Sequence, residues 1–417
     1  MRNHLKTSSF RLKGILGMGI LFSLILLSFE AVSTVNIKGA SMIRSDFSGT
    51  NSLYIGTGKE MDFKWITSQK DIGRYELISS DNKVISSGET EMGNVHEVSI
   101  PYSVKEPVIF KFGGKNEPLA SIKLRPATKR ENDTFKDVDS LYVVGDVHGR
   151  YHELVSLLQK ARIIDVQTNW TAGKSHLVFL GDLFDRGNDV TRVLWLIYKL
   201  EQEAQENGGK VHLVLGNHEI MTLTNDLSYL APKEAFIAKS YKKGYAELFH
   251  PTKSLLGSWL GSKPSVLKID KNLFAHGGIV DLGTSSIPEF NHTVHTYMQS
   301  PVFLDLGLKF TDSIPHNKEE WRKMKTFFYD EENPFWYRGY VVSDTLETQL
   351  TTMLKKYKSE VHIVAHTPRE NISQKYGGKL LTTDLNEKAT QLLFIHRHKN
   401  RTTNYMISKD GIVTKLE

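Results

Sequence analysis

The sequence predicts an α/β catalytic region preceded by an all-β sandwich, and three observations lead there. Five apolar, β-prone runs (LYVV, HLVFL, VHLVL, LFA and VHIVA) each run into a short polar motif. Between Leu141 and Leu215, strand-like and helix-like periods alternate, which implies parallel strands joined by right-handed crossovers. Between Thr34 and Thr128 the period is two and turn-prone clusters interrupt it.

The chain starts with a basic stretch (Arg2, Lys6, Arg11, Lys13) ahead of an apolar run from Gly14 to Phe29. Ala31-Val32-Ser33 then offers small residues for cleavage. This pattern predicts a signal peptide over 1–33 and a periplasmic or secreted protein. The run is short of the ~20 residues that span a bilayer comfortably. A membrane anchor facing the periplasm follows only if the segment stays uncleaved.

Residues 34–128 read as short strands at Asn51 to Ile55, Met61 to Ile66, Tyr75 to Ile78, His96 to Ile100 and Val108 to Phe112. Such spacing predicts a β-sandwich, and it holds no chemical constellation, so it is expected to be accessory. The catalytic region is expected over 129–417, opening on a polar linker from Lys129 to Asp139. Strands then follow at Leu141 to Val144, His176 to Leu180 and Val211 to Leu215. Helices intervene at Tyr151 to Ala161 and Val190 to Gln205, each with one apolar face. Thr224 to Leu260 has helical character, and Asn291 to Arg338 is an insertion rich in aromatic residues. Inserted segments near a sheet's carboxyl edge commonly wall a pocket. Gln391 to Glu417 alternates again and predicts further strands, with Arg397 to Arg401 as a solvated turn.

Composition narrows the chemistry. The 417 residues include no cysteine, so disulfides and thiolates are excluded and metal ligands must be N and O donors. The net charge is +6, and half of it lies ahead of Thr34. The remainder is only weakly basic and calls for no nucleic-acid partner.

The motifs are GDVHG (Gly145 to Gly149), GDLFDRG (Gly181 to Gly187), GNHE (Gly216 to Glu219), HGG (His276 to Gly278) and AHTP (Ala365 to Pro368). Placed after strands, they would line up Asp146, His148, Asp182, Asn217, His276 and His366 along the carboxyl edge of one sheet, where open α/β sheets hold ligands. The set is too large for one metal and suits two divalent ions (Mn, Fe, Zn or Co) sharing Asp182. Such ions can lower the pKa of a bridging water towards ~7. Any one of these residues alone could be a helix cap or a core histidine; five strand-end motifs together argue for a site. His218 follows a ligand and can protonate a leaving oxygen, with Asp185 orienting its ring. Arg186 and Arg338 carry planar guanidinium groups suited to phosphate oxygens.

These motifs, with a late histidine after a strand, resemble the phosphoprotein phosphatase family of metallophosphoesterases over Ser140 to Asp384. GDLFDRG, GNHEIM and WYRGY are similar to its Shewanella-like branch, whereas AHTP departs from the family's usual glycine-His-Gln. The resemblance implies a calcineurin-like metallophosphoesterase fold. It implies Asp146, His148 and Asp182 on one metal, and Asp182, Asn217, His276 and His366 on the other. His218 with Asp185 would be the general acid, and Arg186 with Arg338 the phosphate-binding pair. The expected activity is a two-metal phosphomonoesterase acting on phosphorylated protein or peptide (phosphotyrosine, phosphoserine or phosphothreonine) through attack of a metal-bridging hydroxide. The alternatives are a dinucleoside-tetraphosphate hydrolase and an exported binding protein with an inactive phosphatase fold.

Overall fold

Sheet hydrogen bonding begins at Tyr54 in a computed structural model that describes residues 49–126, 130–307, 317–386, 388–399 and 401–417. The expected signal peptide and residues 34–48 of the expected sandwich lie outside the described residues. No helix among the described residues is long and apolar enough to cross a membrane.

The N-terminal strands are β1 (Tyr54–Gly56), β2 (Met61–Ser79), β3 (Val84–Ile100), β4 (Val108–Gly114) and β5 (Ala120–Leu124). They pair antiparallel as one five-stranded sheet in the order β1-β2-β4-β5, with β3 also on β2. The segments expected as two strands, Met61 to Ile66 and Tyr75 to Ile78, are the two ends of β2. Register shifts against β3 fall between Ile66 and Asp71 and between Ile72 and Arg74. An irregular stretch of this kind breaks the alternation without breaking the ladder. Gly73 sits at the second shift, where a Cβ would lie 2.5 Å from both His96 Nδ1 and Thr90 Oγ1. The sheet's core is aromatic: Phe63 stacks on Phe110 at 3.9 Å, and Trp65 meets Phe110 and Phe112 edge-on.

The C-terminal region opens with β6 (Thr134–Phe135), β7 (Ser140–Val144), α1 (Tyr151–Lys160), β8 (His176–Phe179), α2 (Val190–Glu206) and β9 (Lys210–Leu213). Then come α3 (Asn217–Leu223), α4 (Pro232–Ser240), α5 (Leu255–Gly261), β10 (Val266–Ile269), β11 (Asn272–Ala275), α6 (Ile287–Met298) and α7 (Lys318–Tyr329). Short α8 (Gly339–Val342), α9 (Glu347–Lys356), β12 (Val361–Val364), β13 (Ser373–Lys375), β14 (Leu380–Thr382), β15 (Gln391–His398), β16 (Arg401–Ser408) and β17 (Val413–Lys415) complete it. The expected linker is not wholly irregular, because β6 pairs in parallel with β10. Arg397, expected in a turn, lies in β15 and pairs with Asp139 at 3.2 Å.

The five motif strands do not share one sheet. β7, β8 and β9 run parallel in one six-stranded sheet, ordered β17-β16-β15-β7-β8-β9. β11 and β12 run parallel in a second, ordered β13-β14-β12-β11-β10-β6. Local periodicity reports that a strand is buried but not which strand it pairs with. The two sheets share one core, in which Val143, Val178 and Val214 meet Leu267, Phe274 and Ile363.

The N-terminal sheet is tied to this layered body through α2. Trp195 Nε1 donates to Leu53 O at 2.9 Å, and Gln202 Nε2 donates to Lys123 O at 3.0 Å. Glu201 pairs with Arg125 and with buried Lys263, and accepts from Trp259 Nε1 at 2.9 Å.

Candidate metal centre and phosphate cavity

Each motif residue is placed by the element before it. Asp146 and His148 follow β7, and Asp182, Asp185 and Arg186 lie in the loop after β8. Gly216 caps α3, so Asn217 and His218 occupy its first turn. His276 follows β11, His366 follows β12, and Arg338 caps α8. At Gly145 a Cβ would sit 2.4 Å from Thr383 O, so glycine lets the chain after β14 lie against the β7 loop.

Asp182 is the hub. Its Oδ2 lies 3.1 Å from His276 Nε2, 3.7 Å from His148 Nε2 and 3.9 Å from His218 Nε2. Its Oδ1 accepts the main-chain N–H of His218 at 3.0 Å. Asn217 Oδ1 and His366 Nδ1 lie 2.9 and 3.1 Å from His276 Nε2. Asp146 Oδ2 is 3.8 Å from His148 Nε2, and its Oδ1 accepts from His366 N at 3.2 Å. These seven residues meet at one rim, where both sheets contribute, and Asp185, Arg186 and Arg338 join it through His218 and His366.

The rim is held in an unusual backbone conformation. His148, Asp182, Asp185, Arg186 and His366 have φ of 45°, 51°, 68°, 63° and 64°. Left-handed φ costs energy in non-glycine residues and persists where the surroundings fix it. Glu219 is one such fixing group. Its buried carboxylate accepts the main-chain N–H groups of Asp182 (2.8 Å), Leu183 (2.7 Å) and Gly216 (2.7 Å).

Hydrogen bonds also orient the imidazoles. His148 Nδ1 contacts Phe184 O at 2.7 Å and His276 Nδ1 contacts Leu180 O at 2.6 Å, so each ring donates from Nδ1 and turns Nε2 towards the carboxylates. Burial pushes the His148 pKa down to about 4, and burial together with His276 pushes His366 down. Both rings are therefore neutral near pH 7. Their Nε2 atoms are buried without a hydrogen-bond partner. Burial opposes charge on His276, yet Asp182 and Asp146 raise its pKa to about 10. Burial and repulsion from Asp384 push the Asp146 carboxyl up. Neutral imidazoles with lone pairs facing crowded, buried carboxylates fit divalent cations. Ligand atoms of His148, Asp182 and His218, and of Asp182, His276 and His366, fall within 4.8 Å of one another in two groups.

His218 stands beside these groups. Its Nδ1 is 2.6 Å from Asp185 Oδ2, and its Nε2 is 3.1 Å from Arg186 Nη2. Burial would lower its pKa, but Asp182 and Asp185 raise it above the ordinary value. A raised pKa favours a proton on Nε2, whereas the arginine contact needs a free lone pair there. The Arg186 guanidinium in turn opposes that proton. Arg338 Nη1 donates to His366 O. A cavity of about 390 Å³ opens over Asp146, Asp182, His218, Arg186, Arg338 and His366.

The sequence matches the calcineurin-like phosphoesterase family over residues 140–398. The chain belongs to that family. It is a metal-dependent phosphoesterase, similar to Shewanella-like protein phosphatase 1 of Plasmodium berghei (strain Anka), with 23% identity over 360 residues covering 80% of this chain and 89% of that protein. The fold is similar to the cold-active protein-tyrosine phosphatase of a psychrophile Shewanella sp., with TM-score 0.66, 26% identity, and 88% and 98% of the two chains covered. The symmetrical bis(5'-nucleosyl)-tetraphosphatase of Escherichia coli O1:K1 / APEC is 35% identical over 174 residues, covering 39% of this chain and 53% of that one.

Four residues of this calcineurin-like phosphoesterase site went unassigned in the sequence. Glu219 was visible only as the last letter of GNHE. Asp384, 2% exposed, lines the cavity just after β14. It follows the short β-prone run LLTT, as Asp146 follows LYVV after one glycine, and that partly shared pattern is the available signal. Tyr229 and Trp336 also line the cavity. Trp336 belongs to the aromatic insertion, but nothing in the sequence distinguishes it from its neighbours, and Tyr229 is a lone aromatic in a polar loop.

Proposed function

We propose that this chain is a phosphoprotein phosphatase that uses two divalent ions. Asp146, His148 and Asp182 would hold one ion, and Asp182, Asn217, His276 and His366 the other. Bound there, the ions would supply Lewis acidity and an activated water. The observation that carries the reading is Asp182 Oδ2, which lies 3.7 Å from the buried, unpartnered His148 Nε2 on one side and 3.1 Å from His276 Nε2 on the other.

The chain's own groups do the rest. Arg186 and Arg338 bind the non-bridging phosphate oxygens and offset their charge. Asp185 holds the His218 ring with Nε2 facing the cavity, and His218 gives its proton to the leaving oxygen of the seryl, threonyl or tyrosyl residue. Asp182 keeps His276 and the main chain of His218 in register through its two oxygens.

The test is a substrate panel on the full chain: phosphotyrosine and phosphoserine peptides, a dinucleoside tetraphosphate, and each with EDTA. Metal content is measured in parallel by elemental analysis. Turnover of phosphopeptides, about two metals per chain and loss of both on chelation are expected. Preferential turnover of the dinucleoside tetraphosphate would replace this reading, and turnover of nothing by the metal-loaded protein would leave a binding protein.

A further inference from the structure

Resting on the phosphatase reading, we infer that Tyr229 is a specificity-determining residue that favours aryl phosphate esters, namely phosphotyrosine, over alkyl esters. The Tyr229 ring stands edge-on to His218, with ring centroids 5.3 Å apart and planes at 63°. The Arg186 guanidinium lies over the same ring at 5.5 Å. The main chain reinforces this, since Tyr229 O accepts from Arg186 N at 2.9 Å. Tyr229 thus touches the two side chains that would face the leaving oxygen and the phosphate. Yet it is 52% exposed, in a wall of the cavity whose floor is formed by buried groups.

An aromatic side chain left half in water at a cavity wall has an open face to offer. In the proposed reaction the leaving oxygen lies at His218 Nε2. The carbon attached to that oxygen must then point out of the cavity past His218, and so past Tyr229. When that carbon belongs to a phenyl ring, the ring meets the Tyr229 ring within the distance at which aromatic pairs form. When it is a seryl or threonyl carbon, only one or two carbons reach the same place and most of the face stays wet. The preference is a difference between substrates, which is what specificity requires. Trp336 does not offer the same contact. It stands edge-on to His366 at 6.0 Å and is already stacked on Tyr329 at 5.9 Å.

A structural role would look different. If Tyr229 only holds Arg186 in place, its loss would weaken phosphate binding for every substrate alike. The experiment therefore compares substrates within one variant. In the full metal-loaded chain, Tyr229→Ala and Tyr229→Leu are expected to lower the phosphotyrosine-to-phosphoserine ratio of kcat/KM by roughly threefold to tenfold, the scale of one aromatic pair. Tyr229→Phe is expected to keep the ratio. Binding gives a second readout without turnover: affinity for phenylphosphonate relative to methylphosphonate should fall by the same factor in the Ala and Leu variants. Equal losses on both peptides, or an unchanged ratio, overturn the inference and leave the phosphatase reading standing. Failure of the wild-type chain to hydrolyse either peptide overturns both.

Discussion

The carboxylate of Glu219 accepts the main-chain N–H of Asp182 at 2.8 Å, and with two further N–H groups it holds a loop whose φ at Asp182 is 51°. Glu219 is buried and does not line the cavity over Asp182, so its effect on chemistry passes through Asp182. Replacing Glu219 with Gln keeps the shape but turns one acceptor oxygen into a donor, against N–H groups that are themselves donors. The expected outcome is a metal affinity weaker by about 10- to 100-fold, the usual scale for groups that orient ligands. Titration calorimetry with Mn²⁺ checks it, and an unchanged affinity would show that the loop holds its shape without this anchor.

His218→Asn is expected to retain metal content and to lose roughly 10²–10⁴ in kcat on phosphoserine peptides. The loss should shrink on p-nitrophenyl phosphate, whose leaving group needs no proton. A variant that sheds metal would make His218 a ligand, which its place within 4.8 Å of His148 and Asp182 ligand atoms allows.

Arg338 donates to His366 O and lines the cavity. Arg338→Ala should raise KM several-fold along with lowering kcat, because the lost contact serves the bound substrate and, more strongly, the transition state. A pure kcat effect would instead mean that Arg338 acts by positioning His366.

Glu201 is shared by Arg125, Lys263 and Trp259 at the seam between the N-terminal sheet and α2. Lys263 is fully buried at its side chain, so Glu201→Ala leaves a buried cation with Glu131, at 2.6 Å, as its one carboxylate partner among the described residues. The expected cost is about 3–5 kcal/mol of stability. Denaturant unfolding measures it, and kcat of the folded fraction should be unchanged. A cost under ~1 kcal/mol would mean that Glu131 alone suffices.

Glu234 is fully buried against Thr191 and Tyr245, and burial raises its pKa from 4.5 to about 7. The folded protein therefore prefers the protonated carboxyl. The stability linked to it is present in full below pH ~4.5 and is lost as pH rises through about 7, with a span of about 3 kcal/mol. Glu234→Gln should flatten the fall in Tm between pH 5 and pH 8. An identical fall in wild type and variant would assign it to other groups.

What could be read from the chain follows the range of each signal. Asp146 and His148 are legible because a buried-strand run stops at a glycine and two ligand-type residues follow at once. The helix face Leu154, Leu157 and Leu158 is legible because it repeats at helical spacing, and these three side chains are buried. Strand order is a different matter, since β11 pairs with β12 across an intervening stretch of α6 to α9 that no local period encodes. Asp384 carries no glycine beside it, so its placement by Gly145 against Thr383 could not be inferred from either segment alone. The left-handed φ at Asp182 and His366 is equally silent, because Asp and His occur in many turns without it.

The division of the rim between two sheets has a consequence for the chain during synthesis. A polypeptide that has emerged as far as β9 owns Asp146, His148 and Asp182, gains Asn217 and His218 with α3, and still has no His276 or His366. Neither does it have Arg338 or the loop that presses Thr383 against Gly145. On the proposed reading, the ligand set is complete only once β12 has paired with β11, and the wall formed by Asp384 only once β14 has paired with β12. The same division makes turnover a stringent gauge of whether the last quarter of the molecule has reached its place.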